Sequence, residues 1–131
     1  MTISQAAIDA MIAHARAAAP LECCGLLIGS GARIDESLPA RNIDPSPKRF
    51  EIDPQDHFAA IHAARASGRE IVGVYHSHPS SPAQPSASDL AEAFYTEYAY
   101  VIVSLAMDPP EVRLFHLVAG TFVEEPLSRS A

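Results

Sequence analysis

The sequence predicts an α/β (α+β) domain: one curved, mixed β-sheet flanked by about three helices. Three observations predict it. Two Ala-rich stretches carry helical periodicity, β-branched runs are interleaved with them, and three strand-like segments follow one another at the end. At 131 residues, 48% hydrophobic and 19% charged, the chain has the size and composition of a single globular domain, so one domain over 1–131 is expected.

The opening "SQAAIDAMIAHARAAAP" sets Ile8, Met11, Ile12, Ala15 and Ala18 at helical spacing, with Ser4 as N-cap and Pro20 as the stop. "ECCGLLIG" then reads as a buried strand closing on a glycine turn, and "ARIDESLPARN" as its hairpin partner with polar residues on one side. A "PSPK" loop and a brief extended "RFEI" lead to a second helix, in which Asp53 caps, Pro54 takes the first helical position and Gly68 terminates. "EIVGVYH", Glu70 to His76, is a β-branched strand, and the Pro/Ser loop after it ends at "SASD", where a third helix is expected to begin and run to about Thr96. "YAYVIVSLA", "EVRLFHLV" and "TFVEEPL" complete the chain as strands. The first of them is the most hydrophobic and is expected in the middle of the sheet.

The net charge of −7 argues against a nucleic-acid partner, because binding to phosphates normally rests on clustered Lys and Arg, and the nine here are scattered. No apolar run approaches the roughly 20 residues that span a bilayer, and the N-terminus lacks a signal-peptide pattern, so a cytoplasmic location without a membrane partner is expected. The two cysteines, Cys23 and Cys24, are adjacent and point to opposite sides of an extended segment. They are expected as small buried apolar groups rather than as a disulfide or redox pair.

The chemistry concentrates in "VYHSHPSSPAQPSASD". Strand alternation sends His76 and His78 to one face, where two imidazoles can converge on one ion at about 2.0–2.1 Å. Asp89, ten residues after His78 and beyond a turn-prone loop, can return as third ligand, which leaves a fourth position for water. Ser86 followed by Asp89 is equally an ordinary helix cap. Hydrolysis at a zinc site also needs a carboxylate base close to the metal, and Glu22, at the very start of a buried strand, is the candidate; a surface Glu in a turn is the plainer reading of that position.

"ECCGLLIG", then "HSHP", then "PSASD" resembles the JAMM zinc metalloprotease signature of Jab/MPN domains, and the chain is similar to the small bacterial branch almost throughout. The resemblance implies a cytidine-deaminase-like JAMM/MPN fold, one Zn²⁺ held by His76, His78 and Asp89, Glu22 as general base, and Ser86 as hydrogen-bond donor to the developing oxyanion. It implies a peptidase or isopeptidase that cuts after the C-terminal tail of a ubiquitin-like, sulfur-carrier protein. Ser77 should face away from the metal and support the backbone, and His14, His57, His62 and His116 match no motif position, so structural or surface roles are expected for them. The competing reading is an inactive zinc-containing MPN module that binds such a tail without cutting it. A nucleobase deaminase would need HxE and PCxxC, and neither occurs.

Overall fold

The computed structural model describes residues 1–93 and 95–131. Eight strands form one sheet: β1 (Thr2–Ser4), β2 (Cys24–Ser30), β3 (Arg33–Ala40), β4 (Glu70–His78), β5 (Ala99–Ser104), β6 (Glu111–Val118), β7 (Thr121–Glu125) and β8 (Ser128–Ser130), joined by α1 (Gln5–Ala18), α2 (Pro54–Ala66) and α3 (Ala87–Ala91). The sheet order is β7-β6-β5-β4-β2-β3-β1-β8. It is mixed: β4 runs parallel to β5, and β1 parallel to both β3 and β8, while the remaining pairs are antiparallel.

The expected elements form where their patterns put them. The Ser4 side chain accepts the Ala7 N–H at 3.1 Å and so caps α1, which buries Ala7, Ile8, Met11 and Ala15 on one face of the sheet. In α2, Asp53 accepts from Gln55 N and Pro54 follows at the start, as expected of a cap and a first-turn proline. β2 and β3 pair as the expected hairpin, and β5 is buried throughout between β4 and β6.

Three expectations are corrected. β1 and β8, three residues each, were not foreseen, because segments that short carry no readable period. β4 continues two residues past His76, to His78. The third helix stops at Ala91 instead of Thr96: the Glu92 N–H closes the last turn on Leu90 O and Ser88 O, and the Tyr95 N–H is taken by the Tyr100 hydroxyl at 2.9 Å. Phe94, inside the expected helix, lies outside the described residues.

Strand alternation divides the core between the two faces. Cys23, Leu27, Tyr75, Val101 and Val103 pack with α1, and Cys24, Leu26, Val74, Tyr100 and Ile102 with Ala60 of α2. The adjacent cysteines are thus buried on opposite faces and both are free. Gly25 lies between β3 and β4, where a Cβ would meet the Leu38 carbonyl oxygen and the buried Tyr75 ring. Gly25→Ala is therefore expected to destabilise the protein by about 1–3 kcal/mol, the usual range for overpacking, and a lowered urea midpoint with unchanged slope is the check.

Candidate metal centre and active site

β4 carries Val74, His76 and His78 on the α2 face, and its C-terminal end, parallel to β5, is where an α/β sheet offers a crevice. On the other face, Ser77 acts on the backbone as expected: its hydroxyl accepts the Cys23 N–H at 2.8 Å, and its own N–H donates to Cys23 O at 3.1 Å. These bonds carry the β2–β4 pairing past Cys24, which is opposite His76. Continuing that register brings Glu22 alongside His78, on the face of Cys24.

His76, His78 and Asp89 come together. The His76 and His78 Nε2 atoms are 3.2 Å apart, and Asp89 Oδ2 lies 3.2 Å from the first and 3.1 Å from the second. A tetrahedral ion with bonds of about 2.0–2.1 Å spaces its donors by about 3.3 Å, so the triangle has the size zinc requires. The chemistry of the donors fits too. Pro82 O can only accept, so the 2.8 Å contact from His78 Nδ1 is an N–H donation, and in the neutral ring that leaves the Nε2 lone pair turned to the triangle. His76 Nδ1 is buried without a hydrogen-bond partner, and that ring is held by stacking on Phe50, with centroids 4.4 Å apart and planes 19° apart.

Asp89 fills the capping role and stands where the ligand role would place it. Its Oδ2 also accepts the Ser86 N–H at 2.9 Å, while Ser86 Oγ accepts the Asp89 N–H at 3.1 Å, a reciprocal capping box that aims the carboxylate at the imidazoles. Burial opposes ionisation of Asp89, but in the metal-free site imidazoles protonated at Nε2, together with the Ser86 N–H, outweigh that and hold the carboxyl well below the usual range.

Glu22 is only 4% exposed, and its Oε1 has no partner. Burial, and then the negative charge of Asp89, push its carboxyl up to about 8. A buried carboxyl with an unpaired oxygen next to a cluster of metal-ligand type is not a surface Glu in a turn, and it makes Glu22 a candidate functional group. Ser86 is exposed at the head of α3, with its hydroxyl 3.0 Å from that of Ser88.

Several groups around the centre carried no sequence signal. A groove of about 430 Å³ runs past it, lined by Phe50, Ile52, His57, Glu92, Tyr95 and Tyr100 among others. Phe50, Glu92 and Tyr100 also wall a small recess beside His76 and Asp89. His57 thus borders the site, with its ring edge-on to Tyr95 at 5.5 Å, whereas His14 binds the Tyr75 hydroxyl at 2.7 Å away from the triad. No helix among the described residues is long and apolar enough to cross a membrane.

Residues 4–118 match the family described as prokaryotic homologs of the JAB domain. Among curated proteins, the chain is 36% identical to a desampylase of Haloferax volcanii over 111 residues, covering 79% of this chain and 80% of that one. It is 34% identical to the CysO-cysteine peptidase of Mycobacterium tuberculosis over 125 residues, covering 92% and 85%. The solution structure of protein DSY2949 from Desulfitobacterium hafniense superposes with a TM-score of 0.91 at 35% identity, covering 98% of this chain and 92% of that one. With the fold, the HxH and Asp triangle and the match over most of its length in agreement, the chain belongs to the family of prokaryotic JAB-domain proteins.

Proposed function

We propose that this protein is a zinc-dependent peptidase or isopeptidase that hydrolyses the bond following the C-terminal tail of a ubiquitin-like, sulfur-carrier protein. The observation that carries the reading is the buried carboxyl of Glu22, its Oε1 without a partner, beside the His76, His78 and Asp89 triangle. The relatives named as a desampylase and a CysO-cysteine peptidase, which the chain covers over four fifths or more of their length, support the substrate class.

His76, His78 and Asp89 would hold one zinc ion per chain, which supplies Lewis acidity toward the scissile carbonyl and a water activated at neutral pH. Glu22 accepts the proton of the attacking water and returns it to the leaving amine. A carboxyl buried beside the ligand triangle, with Oε1 free of any partner, has an oxygen available for both transfers. Ser86 donates a hydrogen bond to the developing oxyanion: its oxygen already accepts the Asp89 N–H, so with Ser88 as donor its own proton turns outward. Ser86→Ala is expected to lower kcat about 10²-fold. The lost cap costs about 1 kcal/mol besides; steady-state kinetics and a urea midpoint separate the two effects.

The groove beside Phe50 and Tyr100 takes the extended tail, its aromatic walls lying against the flat Gly-Gly terminus such tails carry. The test is to incubate the protein with a ubiquitin-like sulfur carrier extended past Gly-Gly by a short peptide, and to follow intact mass with zinc present and with a chelator. Truncation only with zinc is expected. An intact carrier under both conditions sinks the hydrolase reading in favour of a module that binds the tail without cutting it.

A further inference from the structure

Glu22 lies just ahead of β2, outside any strand, so the sheet ladder does not hold its backbone. Both of its main-chain polar groups are instead tied to one loop: the Glu22 N–H donates to Ser46 O at 2.9 Å, and the Asn42 side-chain amide donates to Glu22 O at 3.1 Å. Asn42 also closes that loop on itself. Its Nδ2 donates to Arg49 O at 3.2 Å, and its Oδ1 accepts from Asp44 N at 3.0 Å and from Glu51 N at 2.9 Å. Four bonds use the full capacity of a carboxamide, two donors and two acceptor sites. Asp lacks the donors, and Ala lacks all four.

The far end of the same loop carries Phe50, stacked on the His76 ring, and Asn42 bridges to Ile52 just beyond it. One side chain therefore joins the backbone beneath the buried carboxylate to the segment that braces a ligand imidazole. We propose that Asn42 is a positioning residue: it sets Glu22 relative to His76 by locking the 43–51 loop to the backbone of Glu22. This rests on Glu22 acting as the base, as argued above. It reaches a residue outside the zinc-ligand and base motif, through contacts to main chain alone. Proton transfer requires the base within hydrogen-bond reach of its partner, and a displacement of about 1 Å can cost on the order of 10²-fold in rate.

The experiment compares wild type, Asn42→Asp, Asn42→Ala, Glu22→Gln and the Asn42→Asp/Glu22→Gln double variant on the extended carrier, with zinc per chain and a thermal unfolding curve for each. The two Asn42 variants are expected to lose about 10- to 10²-fold in kcat, with KM within about threefold and zinc content unchanged. Asn42→Asp should lose at least as much as Asn42→Ala, because it turns a second oxygen toward the carbonyls of Glu22 and Arg49. In the Glu22→Gln background Asn42→Asp should cost almost nothing more, as two residues acting through one group require. A raised KM at full kcat, or losses that multiply in the double variant, overturns the proposal. So does a fall in kcat that merely follows lost zinc or lost fold. A wild type that does not cut overturns the hydrolase reading and this proposal with it, whereas a wild type that cuts beside fully active Asn42 variants overturns this proposal alone.

Discussion

Glu22→Gln is expected to leave about one zinc ion per chain while lowering kcat on an extended carrier by roughly 10²–10⁴-fold, the range that a general acid–base group contributes. Glutamine has nearly the same shape and can neither accept nor return the proton. A second readout needs no substrate. In the metal-free protein the Glu22 carboxyl sits at about 8, above its ordinary 4.5, so between those pH values the folded chain holds a proton that the unfolded chain has released. The stability from this group is whole below about pH 4.5 and is lost as pH rises through about 8. The variant does not titrate. With chelator present, the urea midpoint of the wild type should therefore fall relative to Glu22→Gln between pH 5 and pH 8. Parallel midpoints across that range would mean that the carboxylate is solvated, and the unpartnered, buried Oε1 would lose its meaning.

Removing Asp89 should have the other large effect, because one carboxylate serves two structures. Asp89→Ala deletes one corner of the triangle and also the acceptor for the Ser86 N–H. Zinc by elemental analysis is expected to drop from about one per chain to near zero, and hydrolysis with it. Asp89→Asn separates the roles: an amide oxygen can still accept the Ser86 N–H and keep α3 capped, yet it lacks the charge that attracts the ion. It should keep more metal-free stability than Asp89→Ala, though less than the wild type because the charge facing the imidazoles is gone, while binding zinc far more weakly. If Asp89→Ala kept full zinc, Asp89 would be a helix cap and nothing more.

How far the site was legible depended on how local each contact is. His76 and His78 are two residues apart on a strand, so their common face follows from the pleat, and Asp89 heads a helix whose capping pattern is visible in "SASD". Glu22 was only one option by its place before an apolar strand, and the resemblance to JAMM domains singled it out; that it lies alongside His78 required the β2–β4 register, which Ser77 extends through Cys23. Phe50 and Asn42 gave no signal at all. A stacked ring and a carboxamide with four main-chain partners look like ordinary loop residues until the loop folds back. The end of α3 was misread for the same reason: the hydroxyl of Tyr100, on β5, takes the Tyr95 N–H that a longer helix would have used.

Taken alone, the sequence determined the periodic and the strictly spaced features: one mixed sheet flanked by helices, buried cysteines that diverge, and a metal-ligand pattern with its candidate base. The first two follow from repeats of 2 or 3.6 residues and the ligand pattern from close spacing along the chain, while the distant base was named by resemblance. Tertiary structure alone decided the parallel β1 and β8 additions at the sheet edge, the groove between Phe50 and Tyr100, and the lock that Asn42 forms under Glu22. Those depend on groups far apart in sequence meeting with satisfied hydrogen bonds and filled volume, and no local pattern encodes the geometry of such a meeting.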